Sequence, residues 1–292
     1  MQLFQLYTNM LKTLTQISRR AALRNLLLVS FAFVAIVISA YKPAPKLQAG
    51  PETRTIYWTV DGTDRQAIVY IPASAKTKAT PVVFMFHGHG GTAQNMFNTR
   101  GFEKLWPEAI IVCPQGLNTP GQLTDSAGNL PGWQSGPGDM ADRDIHFFDA
   151  MLKSLQQDYK VDDKRIYATG HSNGGGFTYL LWAMRGDVFA AVAPSSAVAG
   201  RIVGQLKPKP ALHIMGEKDP LVRPEWQKAM YNKVLKINSC STEGQSYGAQ
   251  YATLYPSTTN TPTVLYIHPG GHVYPQEANA VVVKFFKSMV KP

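Results

Sequence analysis

Apolar positions along this chain follow two rhythms. An unbroken apolar run of strand length occurs at 81–86, and largely apolar runs of strand length at 109–113, 165–169, 188–193, 211–215 and 263–267. Runs that are apolar throughout are what a strand buried on both faces requires. Between them, apolar residues recur at helical spacing: Ile145, Phe148, Met151, Leu152 and Leu155 share one face of a helix over 142–159, with Asp142 as its cap. Residues 174–184, 225–237 and 275–290 also read as helices. Two further runs, 53–60 and 65–71, flank Asp61-Gly62 and predict a β-hairpin. A hairpin followed by alternating strands and helices predicts an α/β fold, a mostly parallel eight-stranded sheet with helices on both faces. Residues 114–141 have no periodicity and are rich in Gly, Pro, Asn and Asp, as expected of a functional cover or binding loop.

The amino terminus departs from this pattern. Residues 1–40 carry Lys12, Arg19, Arg20 and Arg24 and no acidic residue, followed by the apolar run Leu26 to Ala40. Fifteen residues are short for a bilayer, which needs about 20, but suit an export signal. The expectation is a signal peptide or amino-terminal anchor over 1–40, a spacer over 41–52 and one catalytic domain over 53–292, exported to the periplasm or beyond. Ser18 to Arg24 is similar to a twin-arginine signal, with Ala22 where a bulky residue is usual. A stable membrane span is expected only if this segment is retained.

Composition narrows the classes. With 292 residues, 45% hydrophobic and 16% charged, the chain suits one large globular domain. Its net charge of +10 falls when the four amino-terminal basic residues are set aside, leaving 25 basic against 19 acidic. No basic run with interleaved aromatics points to nucleic acid. The histidines at 87, 89, 171, 213, 268 and 272 show no paired ligand spacing on a helix, so no metal and no cofactor is expected. Cys113 and Cys240 are compatible with one disulfide in an exported protein, and their pairing stays open.

Chemistry concentrates at one turn. Gly170-His171-Ser172-Asn173-Gly174 joins a strand to a helix, the arrangement that exposes a serine hydroxyl on a strained turn. Ser172 is the candidate nucleophile. An acid and then a histidine should follow in the chain, each just after a strand. Asp219 fits the acid, with Glu217 as fallback; Asp187 precedes its strand. His272 follows Pro269-Gly270-Gly271 and fits the base, His268 being the other candidate, whereas His213 sits mid-strand as a core residue. The oxyanion donors are expected to be the backbone N–H groups of His89, then Gly90, together with Asn173. Trp133 and Tyr274 are candidate aromatic walls for a substrate ring.

Taken in order, His87-Gly88-His89-Gly90-Gly91, Pro131-Gly132-Trp133-Gln134, Asp142-Arg143-Asp144, Gly170 to Gly175, Gly216-Glu217-Lys218-Asp219-Pro220 and Gly270-Gly271-His272 resemble the exported esterase family that joins feruloyl esterases with poly(3-hydroxybutyrate) depolymerases. The resemblance runs from about residue 54 to 290. It implies an α/β-hydrolase fold and carboxylic-ester hydrolysis, with Ser172, Asp219 and His272 at the family's triad positions. Tyr274 stands where the family often has Trp, and His89 where it has a small residue or Cys. The chain stops one helix after His272, without the surface-binding domain common in polymer depolymerases, which favours feruloyl or acetyl esters of plant polysaccharide over solid polyester. A peptidase or acyltransferase on the same triad, and a non-catalytic binding fold, are the alternative readings.

Overall fold

The computed structural model describes residues 5–19 and 50–292. The apolar signal run, the twin-arginine-like stretch beyond Arg19 and residues 41–49 of the expected spacer lie outside the described residues. Residues 5–19 are helical (α1). Among the described residues no helix is long and apolar enough to cross a membrane. The chain divides between Gln48 and Ala49 into two units, and the Ser172 turn belongs to the second.

This second unit opens with the hairpin β1 (Glu52–Val60) and β2 (Thr63–Ile71), then β3 (Thr80–Phe86), α2 (Ala93–Arg100), α3 (Phe102–Leu105) and β4 (Ile110–Pro114). The long loop holds a small pair of strands, β5 (Leu117–Asn118) and β6 (Pro131–Gly132), and leads to α4 (Arg143–Asp158). Next come β7 (Val161–His171), α5 (Asn173–Arg185), β8 (Ala191–Ser195), β9 (Ala211–Gly216) and α6 (Pro224–Ile237). The chain closes with β10 (Gln245–Ser246), β11 (Ala252–Tyr255), β12 (Thr263–His268) and α7 (Ala278–Ser288).

The main sheet runs β1-β2-β4-β3-β7-β8-β9-β12-β11-β10. Its centre, from β4 to β12, is parallel, while the pairs at both edges are antiparallel. Among the described residues it has ten strands and not the expected eight: β10 is two exposed polar residues, and β11 is four residues that are mostly half-buried, so neither carries the signature of a long buried strand.

Strand β3 shows why its sequence is apolar throughout. Val82, Phe84 and Phe86 pack with Phe148 and Met151 of α4 and Phe177 of α5, whereas Val83 and Met85 pack with Met96 of α2 and Phe285 and Phe286 of α7. Successive side chains leave opposite faces of a strand, and here a helical layer covers each face. Burying one such side chain contributes about 1.5–3 kcal/mol. The packed sheet therefore holds the carboxyl ends of β3, β7, β9 and β12 along one edge.

One local expectation is corrected. Asp142 has φ 58° and does not cap α4; its carboxylate accepts from Gln134 Nε2 and Gly138 N at 2.8 Å each. Cys113 is buried in β4 and Cys240 lies beside Thr263, and both thiols are free.

Candidate active site

The turn at Ser172 is dictated by backbone crowding. β7 ends at His171 and α5 begins at Asn173, so Ser172 alone makes the corner, with φ 55° and ψ −121°. A left-handed φ on a non-glycine residue stores strain of about 1–3 kcal/mol, held only by its surroundings. A Cβ on Gly170 would meet the carbonyl of Gly174, and a Cβ on Gly174 would meet the carbonyls of Phe86 and His87. Glycine is thus required on both sides of the serine.

Two more strands bring their loops to this corner. His272, beyond β12, places Nε2 2.7 Å from Ser172 Oγ, and its Nδ1 lies 2.8 Å from Asp219 Oδ2. Asp219, beyond β9, is buried with both carboxylate oxygens engaged. Its Oδ1 accepts from Leu221 N and Val222 N at 2.9 Å, and its Oδ2 accepts from Gln227 Nε2 at 3.0 Å as well as facing His272. The two loops are joined by Glu217 N donating to His268 O and Lys218 N to Gly270 O. Glu217 is exposed and His268 receives the N–H of Gly270, so neither alternative reaches the serine. His213 is buried beside Tyr179.

Of the candidate oxyanion donors, Gly90 N is already committed to Pro131 O at 2.7 Å. The N–H groups of His89 and Asn173 meet no acceptor among the described residues. Gly88 holds the loop against the corner, a Cβ there lying 3.5 Å from Ser172 Cβ. His87 braces this loop from beneath, with Nδ1 donating to Gly88 O and Nε2 accepting from Gly116 N. The His89 ring is gripped between Gly121 and Gly132, and its Nε2 donates to Thr119 O at 2.8 Å.

The aromatic walls are a correction. Trp133 is 0% exposed, stacks on Phe177 and donates Nε1–H to His87 O, so it wedges the loop at 87–91 from inside. Tyr274 is also buried, its ring under the Arg100 guanidinium and its hydroxyl toward Thr169. Neither lines the cavity of about 390 Å³ that opens at Ser172. Its walls are instead Leu123, Val198, Leu221 and Val222, with His89 and, at the rim, Arg201. Arg201 pairs with Asp139. Sequence reasoning missed Val198 and Arg201, although both follow the end of β8, where site residues gather in such sheets.

Burial, reinforced by the neighbouring His272, pushes His171 down to about 3, so it stays neutral beside the His272 ring. No cluster of metal-ligating side chains occurs among the described residues. The arrangement can deliver a hydroxyl oxygen as nucleophile, move its proton through one imidazole, and offer two backbone N–H groups to a developing negative charge.

Residues 133–203 match the prolyl oligopeptidase family, Peptidase_S9, a segment that contains Ser172 but neither Asp219 nor His272. The chain is 28% identical over 191 residues to feruloyl esterase C of Emericella nidulans, an overlap of 60% of this chain and 63% of that relative. The chain thus spans less than two thirds of the length of the curated relatives it matches. Among solved structures it is similar to acetyl xylan esterase from Aspergillus awamori, with TM-score 0.63 and 14% identity over 80% of this chain and 99% of that one. A ferulic acid esterase matches with TM-score 0.58 and 16% identity, over 81% and 97% of the two chains. At such identities the likeness concerns the fold, which is that of an α/β-hydrolase.

Proposed function

We propose that this chain is a serine carboxylic-ester hydrolase that works through an acyl-enzyme on feruloyl- or acetyl-type esters of plant polysaccharide. The observation that carries the reading is the line Ser172 Oγ, His272 Nε2, His272 Nδ1, Asp219 Oδ2, with both gaps under 3 Å. His272 takes the serine proton as Oγ attacks the ester carbon, and Asp219 holds the imidazole in the tautomer that can accept it. The oxyanion forms against the N–H groups of His89 and Asn173, each contributing about 3 to 4 kcal/mol to the transition state. His272 then protonates the leaving alcohol, and a water activated by the same imidazole releases the acid. The substrate class rests on the names of the relatives and on the mostly apolar cavity at Ser172, which suits a planar or small acyl group. Export belongs to the same reading and rests on the basic-then-apolar order of the first 40 residues.

The test is hydrolysis of methyl ferulate and p-nitrophenyl acetate by the parent chain and by Ser172→Ala, with a prolyl peptide substrate alongside. Ester turnover that drops to background in Ser172→Ala is expected. Parental ester turnover in that variant overturns the reading, and turnover confined to the peptide replaces it with a peptidase.

A further inference from the structure

We propose that Gly176 sets how large an acyl group the site admits, by leaving open the part of the cavity next to Ser172 that a side chain would fill, a role that rests on the esterase reading of the site. The run Gly174-Gly175-Gly176 is uniform in sequence, and the structure separates its members. A Cβ on Gly174 would overlap the carbonyls of Phe86 and His87, and a Cβ on Gly175 the carbonyl of Ser195. A Cβ on Gly176 would meet nothing within 4 Å apart from its own helix backbone and chain neighbours.

Backbone conformation gives no reason for this glycine either. Gly176 lies inside α5, its φ is not left-handed, and its N–H donates to Ser172 O at 2.9 Å. At such a position glycine is disfavoured against alanine, because it loses more backbone freedom on folding. Three glycines line the cavity at Ser172. Gly121 is pressed on the His89 ring and Gly200 has φ 55°, so each has a local need to be glycine. Gly176 has neither constraint, and the space its side chain would enter is the cavity itself.

The position of Gly176 decides which half of the ester it faces. Its hydrogen bond to Ser172 O puts it one helical turn from the nucleophile, and a Cβ leans toward the helix N-terminus, so a side chain at 176 would grow toward Ser172. On the esterase reading the leaving alcohol must stand within reach of His272 Nε2, which protonates it. His272 is not a wall of this cavity, whereas Ser172, His89 and Asn173 are. The cavity therefore receives the acyl half. Its volume of about 390 Å³ falls in the range of pockets that enclose a drug-sized ligand, far more than an acetyl group occupies. Leu123, Val198, Leu221 and Val222 make the surrounding walls apolar, and Gly176 leaves room between them for an extended or ring-bearing acyl chain.

The experiment measures kcat/KM and thermal midpoint for the parent, Gly176→Ala, Gly176→Val and Gly204→Ala on p-nitrophenyl acetate, p-nitrophenyl ferulate and methyl ferulate. The two p-nitrophenyl esters vary the acyl group at one alcohol, and the two ferulates vary the alcohol at one acyl group. Gly204 also faces open space but lies outside the cavity lining, and serves as the control. Gly176→Val should lower kcat/KM on both ferulates about 10- to 100-fold, the weight of a few carbons in an apolar pocket, and leave the acetate within about threefold. Gly176→Ala should move the ferulate-to-acetate ratio the same way by a smaller factor while the midpoint rises by about 1–4 °C, and Gly204→Ala should keep the parental ratio. A folded Gly176→Val with the parental ratio overturns the proposal, and where that variant does not fold, Gly176→Ala with the parental ratio does the same. A loss that follows the alcohol and not the acyl group also overturns it, as does a parent active on the acetate alone. No turnover of any ester by the parent removes the esterase reading and the role of Gly176 with it, an outcome distinct from an unmoved ratio in an active enzyme.

Discussion

Gly216 ends β9 pressed against the carbonyl of Gly271, and a Cβ at that position would overlap the carbonyl oxygens of both Gly270 and Gly271. The loop that carries Asp219 and the loop that carries His272 thus meet backbone to backbone, which is how two side chains 53 residues apart reach 2.8 Å. Gly216→Ala should displace residues 269–272 and with them the imidazole. A misplacement of about 1 Å at a reacting group costs roughly 100-fold, so kcat should fall by that order, and the thermal midpoint should fall as well because forcing the two backbones apart costs about 1–3 kcal/mol. Steady-state kinetics on methyl ferulate beside a thermal melt checks this.

Much of that geometry is legible in the sequence because the groups stand directly after strands. Ser172, Asp219 and His272 each follow a short apolar run and sit among glycines, so a parallel sheet must bring them to one edge. The cavity walls are not legible in this way. Leu123, Val198 and Leu221 look like any loop aliphatics until tertiary packing turns them toward Ser172. Trp133 and Tyr274 mislead for the converse reason: an aromatic beside a motif residue can either face the substrate or support the motif from behind, and local sequence is the same in both cases. Gln227 carries a readable signal, a polar residue on an apolar helical stripe, whose partner only the fold supplies.

Acid should destabilise the fold before it reaches the carboxylates. Burial pushes His213 down to about 4, far below the value of about 6.5 it regains on unfolding. Between those values the unfolded chain binds the additional proton, so stability is full above pH 6.5 and is lost as pH falls toward 4. For His213 the loss between pH 7 and pH 5 is about 2 kcal/mol, and His171 adds to it in the same direction. Urea unfolding at the two pH values should show this fall, and His213→Gln should make it shallower.

The pair Arg65–Asp144 should be costly to break from one side. Arg65 Nη2 meets Asp144 Oδ1 at 2.8 Å with both side chains essentially buried, at 1% and 0% exposure. The other carboxylate oxygen receives Gln134 N at 2.9 Å, next to the wedged Trp133. Asp144→Ala strands a buried guanidinium over Phe147, and such a loss costs about 3–5 kcal/mol. A lower urea midpoint with an unchanged denaturant slope is the expected result.

Asn173 grips Trp133 twice, its Oδ1 receiving the Trp133 N–H at 2.7 Å and its Nδ2 donating to the Trp133 carbonyl at 2.9 Å. The residue next to Ser172 is therefore clamped to the segment that supports the loop at 87–91, while Leu123, Val198 and Arg201 take no part in the clamp. On the proposed esterase reading, the molecule divides into a fixed reaction chassis and an exchangeable recognition rim. Diversification at the rim, by natural drift or by library selection, can change which acyl group is admitted without retuning the chemistry behind it.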